Sequence, residues 1–185
     1  MATFERPPWA GTGARGTALV LPGGAGGVFQ GSIYWLTLAL AESGWDLLAA
    51  EWPVSGDREA AVEPIAEEGI RRLAGSSASL VIGKSLGSLA APVVATVGLP
   101  AVWLTPLLDR PRVAGAIESA VQPTLAVGGT ADATWRRLEP RGGLEVHEIT
   151  GANHGLVIPG DWRLSLRRTE ELVQRVVVFV EGLAE

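Results

Sequence analysis

The sequence predicts an α/β protein built on a doubly wound, mostly parallel sheet of about six strands with helices on both faces. Three observations carry that expectation. Short apolar runs alternate along the chain with longer stretches of helical period, as a wound parallel sheet requires. Most of the runs are continuous rather than alternating, the pattern of strands covered on both sides. The composition, 47% hydrophobic and 19% charged over 185 residues, suits one well-filled core, and a single domain over residues 1–185 is expected.

Taken in order, residues 1–16 hold Pro7, Pro8 and spaced glycines and are expected to be irregular. The strand runs are 17–21 (TALVL), 46–51 (DLLAAE), 79–82 (SLVI), 101–104 (AVWL), 124–127 (TLAV) and 144–149 (LEVHEI). The last of these alternates, which suits a sheet edge. Helical patterns fall at 33–43, 58–73, 86–97, 112–119, 131–138 and 161–182. Pro92, inside the third of these, is expected to bend its axis. The final pattern is the clearest. Asp161 can cap it, and Trp162, Leu166, Leu172, Val173, Val176, Val177 and Val180 recur on one face.

Composition also excludes. The chain has no cysteine, so disulfides, thiolate metal sites and thiol nucleophiles are ruled out, and two histidines are too few for a His-rich metal centre. No metal and no cofactor is expected. The net charge is −5 and the arginines are scattered, leaving no basic stripe for a phosphate backbone, so nucleic acid is not an expected partner. No apolar stretch approaches the roughly 20 residues of a membrane span. The first ten residues lack the apolar core of a signal peptide. A cytoplasmic location is the expectation; the oligomeric state is left open.

Three glycine clusters invite a nucleotide reading. Gly11-Thr12-Gly13-Ala14-Arg15-Gly16 has G-x-G-x-x-G spacing but precedes a strand, whereas a dinucleotide site follows one. Gly83-Lys84-Ser85 looks like the end of a phosphate loop, but Ala78 stands where its first glycine belongs. Gly23-Gly24-Ala25-Gly26-Gly27 does follow a strand and precede a helix, and alone is weak support for an anion site.

The informative motif is Gly83-Lys84-Ser85-Leu86-Gly87, a G-x-S-x-G at a strand-to-helix junction, followed by the small residues Ser88, Ala90 and Ala91. A nucleophile held at the tip of so sharp a turn needs neighbours almost free of side chains two positions away. Ser85 is therefore the candidate nucleophile. Its base must be His147 or His154. His147 sits within a strand pattern and reads as a packing residue. His154 lies in Gly151-Ala152-Asn153-His154-Gly155, after the last strand, at the carboxyl edge where Ser85 also emerges. For the acid that orients the imidazole, Asp132 after the penultimate strand is favoured over Asp109, with Glu139 weaker. Asp132 could also cap the helix expected there.

The order Ser85, Asp132, His154, with GKSLGS, VGGTADATW and GANHG, resembles a small member of the α/β-hydrolase superfamily, near its dienelactone-hydrolase-like and lidless esterase or thioesterase types. The resemblance runs from Thr17 to the final helix. It implies an oxyanion hole, with one backbone N–H from Gly24 or Ala25 and another from Leu86. It departs from many relatives at Pro22-Gly23, where they carry His-Gly, and the first two strands of the larger fold and any lid between 101 and 124 are missing. Trp103, Trp135 and Trp162 are candidate walls of an acyl pocket. Lys84 could attract an anionic substrate, pair with a carboxylate, or simply be a tolerated polar residue. The expected activity is ester or thioester hydrolysis of a small acyl substrate through an acyl-enzyme on Ser85. The alternatives are a non-catalytic binding module on the same fold, acyl transfer to an acceptor other than water, or non-hydrolytic chemistry.

Overall fold

A computed structural model describes residues 3–25 and 27–184. In chain order the elements are β1 (Thr3–Glu5), β2 (Gly16–Leu21), α1 (Gly31–Glu42), β3 (Trp45–Glu51), α2 (Arg58–Arg72), β4 (Ser79–Lys84), α3 (Ala91–Val97), β5 (Ala101–Leu104), α4 (Pro111–Glu118), β6 (Thr124–Gly129), β7 (Leu144–Ile149) and α5 (Trp162–Glu181). They form a seven-stranded sheet in the order β1-β3-β2-β4-β5-β6-β7. All pairs are parallel except β1 with β3.

The period-two alternation of each strand divides its side chains between two cores, which is why the runs read as continuously apolar. Ala18, Val20, Leu80, Ile82, Val102 and Leu104 meet α1 and α5 on one face. Leu19, Leu21, Val81, Ala101, Trp103 and Ala126 meet α2, α3 and α4 on the other. From β2 the chain steps outward to β3, then crosses back over β2 to β4. The direction of winding therefore reverses between β2 and β4, and the crevice at their carboxyl ends is where such sheets bind ligands.

Several sequence expectations are corrected. The segment before residue 17 is not wholly irregular: Thr3–Glu5 pairs antiparallel with Glu51, Ala50 and Ala49 and makes a seventh strand. A three-residue strand held by a distant partner leaves no local period to read. Residues 131–138 form turns and irregular chain with no helix. The 86–97 pattern divides into a 3-10 helix over Ser85–Ala90 and then α3. Pro92 accordingly lies in the first turn of α3, where its missing N–H has no helical acceptor to lose, and bends nothing. On α5 the buried face is Ser165, Leu172, Val176, Phe179 and Val180, while Trp162 and Leu166 are 62% and 57% exposed. The first turn of α5 runs past the edge of the core, and the Ser165 hydroxyl takes the inward position there, donating to the Asp161 carbonyl. Asp161 does cap the helix, accepting from Leu164 N at 2.9 Å. Among the described residues no helix is long and apolar enough to cross a membrane.

Two glycines show opposite demands. A Cβ on Gly87 would lie 2.0 Å from the Leu21 carbonyl oxygen, backbone of the adjacent strand, whereas one on Gly115 in α4 would meet nothing within 4 Å. Gly87→Ala is expected to destabilise by about 1–3 kcal/mol, and Gly115→Ala to stabilise by roughly 0.5–1 kcal/mol. Chemical denaturation of both variants checks the contrast.

Candidate active site

Ser85 follows β4 directly and has φ 47°, a left-handed conformation that a residue with a side chain rarely adopts. Three contacts enforce it. Gly87 is pressed on the Leu21 carbonyl, Gly83 has no room for a Cβ because the Trp103 ring would lie 2.4 Å away, and the Ser88 hydroxyl ties the turn down. Ser88 Oγ donates to the Ser85 carbonyl at 2.6 Å and accepts from Leu107 N at 3.0 Å, joining the turn to the loop after β5.

His154 sits in the loop after β7. That loop is shaped by Asn153, whose side-chain oxygen accepts from Gly155 N at 2.9 Å and Val157 N at 3.3 Å. Thr130 Oγ1 accepts from Gly151 N at 2.8 Å and fastens the loop to the end of β6. His154 Nε2 lies 2.8 Å from Ser85 Oγ and Nδ1 lies 2.8 Å from Asp132 Oδ2. With the ring proton on Nδ1, the imidazole donates to Asp132 and accepts from Ser85. The other Asp132 oxygen, Oδ1, accepts from both the backbone N–H and the hydroxyl of Thr134, each at 2.9 Å. The Asp132 side chain is only 1% exposed, so these bonds replace water around a buried carboxylate. The helix that Asp132 was expected to cap is absent, and the carboxylate closes the Thr134 turn instead.

The loop after β2 lies beside the serine: a Cβ on Gly23 would be 3.8 Å from Ser85 Cβ, and one on Gly24 would be 3.5 Å from Leu86 Cδ2. Trp52 Nε1 donates to the Pro22 carbonyl at 3.0 Å, and Arg58 Nη1 donates to the Gly24 carbonyl at 2.7 Å. Lys84 Nζ donates to Thr105 Oγ1 at 3.0 Å and to the His154 carbonyl at 3.2 Å. Burial pushes the Lys84 ammonium down to about 8, against the opposing pull of the Asp132 carboxylate.

The structure thus brings Ser85, His154 and Asp132 together, with Lys84 bonded to the His154 carbonyl, Gly23 beside Ser85 and Gly24 beside Leu86. His147 is on β7 opposite Val127, where burial first and Arg175 second lower its affinity for a proton. Asp109 is exposed, and Glu139 faces Arg137 at 3.5 Å. The tryptophan pocket is not assembled as expected. Trp103 is 2% exposed and fills the core beneath Gly83. Trp135 packs on Gly128 and donates to Glu148 Oε2 at 2.8 Å, while Trp162 stands in solvent with the Arg163 guanidinium 4.3 Å over its ring. Trp52, Arg58, Thr105 and Thr134 were not foreseen, and Ser88 was foreseen only for its small size. Only Thr134, two residues beyond Asp132, carried a local signal, that of an Asx turn. Among the described residues no group of His, Asp and Glu could hold a metal ion.

No family model matches the chain, and neither does any curated protein. Solved structures do. A protein of unknown function from Agrobacterium tumefaciens is 16% identical with a TM-score of 0.69, covering 98% of this chain and 92% of that one. An esterase from Pyrococcus furiosus is 15% identical with a TM-score of 0.66, again covering 98% and 92%. A lidless α/β serine hydrolase from Xanthomonas campestris is 16% identical with a TM-score of 0.64, covering 98% and 88%. The chain has the α/β-hydrolase fold, in a small version with only α4 in the segment 105–123 between β5 and β6.

Removing the buried Ser88 hydroxyl would leave the Leu107 N–H without its acceptor and take one of two donors from the Ser85 carbonyl, which keeps its 3-10 helical partner. Ser88→Ala is expected to lose about 1–2 kcal/mol of stability, measured by denaturant titration.

Proposed function

We propose that this protein is a serine hydrolase of carboxylic esters or thioesters, working through an acyl-enzyme on Ser85. The observation that carries this reading is the single imidazole of His154 bridging a hydroxyl and a buried carboxylate at 2.8 Å on each side. In acylation, Ser85 Oγ attacks the substrate carbonyl carbon while its proton passes to His154 Nε2. Asp132 keeps the ring in the tautomer that leaves Nε2 free to accept, and stabilises the imidazolium that forms. The tetrahedral intermediate collapses as His154 returns the proton to the departing alcohol or thiol. A water molecule, deprotonated by the same nitrogen, then attacks the acyl carbon and releases the acid and Ser85.

The negative oxygen of each intermediate needs N–H donors already in place. Leu86 N–H, in the first turn after Ser85, has no acceptor within its own helix and is one. A trans peptide sets the Ala25 N–H opposite the Gly24 carbonyl that Arg58 holds, which favours Ala25 over Gly24 as the second. The His154 side chain is 42% exposed, so water reaches the acyl-enzyme without a lid having to open. Such an open face suits small or flexible acyl groups.

A fluorophosphonate probe tests the reading, since attack by an activated serine displaces fluoride and leaves a phosphonyl ester. The expected result is one adduct, on Ser85, absent in Ser85→Ala and strongly slowed in His154→Ala. Asp132→Asn should slow labelling by about 10³–10⁴-fold. Folded wild-type protein that takes no adduct would sink the proposal and leave a binding module on this fold.

A further inference from the structure

We propose that Lys84 is a positioning residue for the base: its ammonium clamps the loop that carries His154 to the strand that carries Ser85. Its catalytic consequence rests on the serine-hydrolase reading above; the clamp itself does not. Lys84 is the only lysine in the chain and the last residue of β4. By the alternation of that strand it shares a side with Leu80 and Ile82, which face α1 and α5. Its two acceptors come from different loops, Thr105 following β5 and His154 following β7. One side chain therefore links the ends of β4, β5 and β7, and the link falls on the backbone of the residue whose ring must meet Ser85.

The Thr105 end of the clamp is firmly built. Thr105 is fully buried, its φ of 42° is left-handed, and its N–H donates to the Val127 carbonyl at 2.7 Å. A β-branched residue in that conformation persists only where its surroundings enforce it. Here the outcome is a hydroxyl presented to Lys84. With two of its three N–H donors occupied by neutral oxygens inside the protein, the ammonium is poorly disposed to recruit a substrate anion.

The clamp is sensitive to pH. The charged or titratable groups facing Lys84 are Asp132, from the loop after β6, and His154, from the loop after β7; Thr105, from the loop after β5, is neutral. Burial lowers the Lys84 affinity for a proton and Asp132 opposes this, leaving the ammonium to titrate at about 8. Below that pH both bonds are charge-assisted, and above it the neutral amine donates more weakly. The His154 loop loosens as pH rises through 8, and Ser85 reactivity declines with it.

Because the chain has one lysine, 15N-lysine labelling gives a single side-chain amine resonance. That resonance is expected to titrate near pH 8 in Ser85→Ala as well as in the wild type, and its midpoint to move in Thr105→Val. Lys84→Met, checked for an unchanged thermal midpoint, should slow phosphonylation of Ser85 by about tenfold or more at neutral pH, the scale of a misplaced base. Lys84→Arg, whose guanidinium stays charged, should recover most of that rate and lack the decline near pH 8. Titration of Lys84 near the free-lysine value of about 10.4 overturns the clamp's pH sensitivity, and a midpoint that does not move in Thr105→Val overturns the clamp itself. So does Lys84→Met labelling at the wild-type rate with the wild-type pH profile. A Lys84 midpoint that moves in Thr105→Val, in protein that never labels, supports the clamp while the hydrolase reading falls.

Discussion

The left-handed serine at the end of β4 is the constraint on which the site depends. A residue with a side chain at φ 47° carries strain on the order of 1–3 kcal/mol, and an isolated chain would relax it. Here it cannot relax. Gly87 lies against the Leu21 carbonyl, Gly83 against the Trp103 ring, and Ser88 holds the Ser85 carbonyl. Leu21 and Trp103 belong to the neighbouring strands β2 and β5, and Ser88 is itself tied to Leu107 beyond β5. The strain is therefore balanced by the packing of the whole sheet, and the hydroxyl projects above the carboxyl edge as a consequence of core formation.

The electrostatic arrangement follows from scarcity. This protein is rich in apolar residues, and a buried charge inside it is costly unless every bonding position is filled. Asp132 meets that requirement with Thr134 on one oxygen and His154 on the other. The carboxylate bonded to the imidazole is thereby held in place by the protein alone, the preorganisation on which the proposed mechanism draws. Lys84, bonded to the His154 carbonyl, adds a positive charge whose burial cost Asp132 partly offsets.

Topology explains why these groups meet at all. Winding reverses between β2 and β4, so the glycine-rich loop after β2 and the turn after β4 lie side by side at the carboxyl edge. The loops after β6 and β7 arrive from the same edge because every strand from β2 to β7 points the same way. Only α4 lies between β5 and β6, and the His154 side chain stays 42% exposed at this edge, as the proposed exchange of water and small acyl substrates requires.

By itself the sequence determined the parallel strands, because burial on both faces writes itself as continuous apolar runs. It also determined the serine turn, because the steric demand for Gly83 and Gly87 acts within five residues. His154 and Asp132 were legible as loop residues at strand ends, though only by position. What the tertiary structure decided is everything resting on distant partners. β1 exists because Thr3–Glu5 finds β3, and the helix expected over 131–138 gives way to a turn in which Asp132 serves both Thr134 and His154. Trp103 went to the core because strand alternation placed it under Gly83. Lys84 found Thr105 and His154, and Arg58 found Gly24, across 21, 70 and 34 positions of chain. Local patterns record only which face is buried and which turn is tight. Which loop bonds which is settled by the register and order of strands, and no short window of sequence contains that.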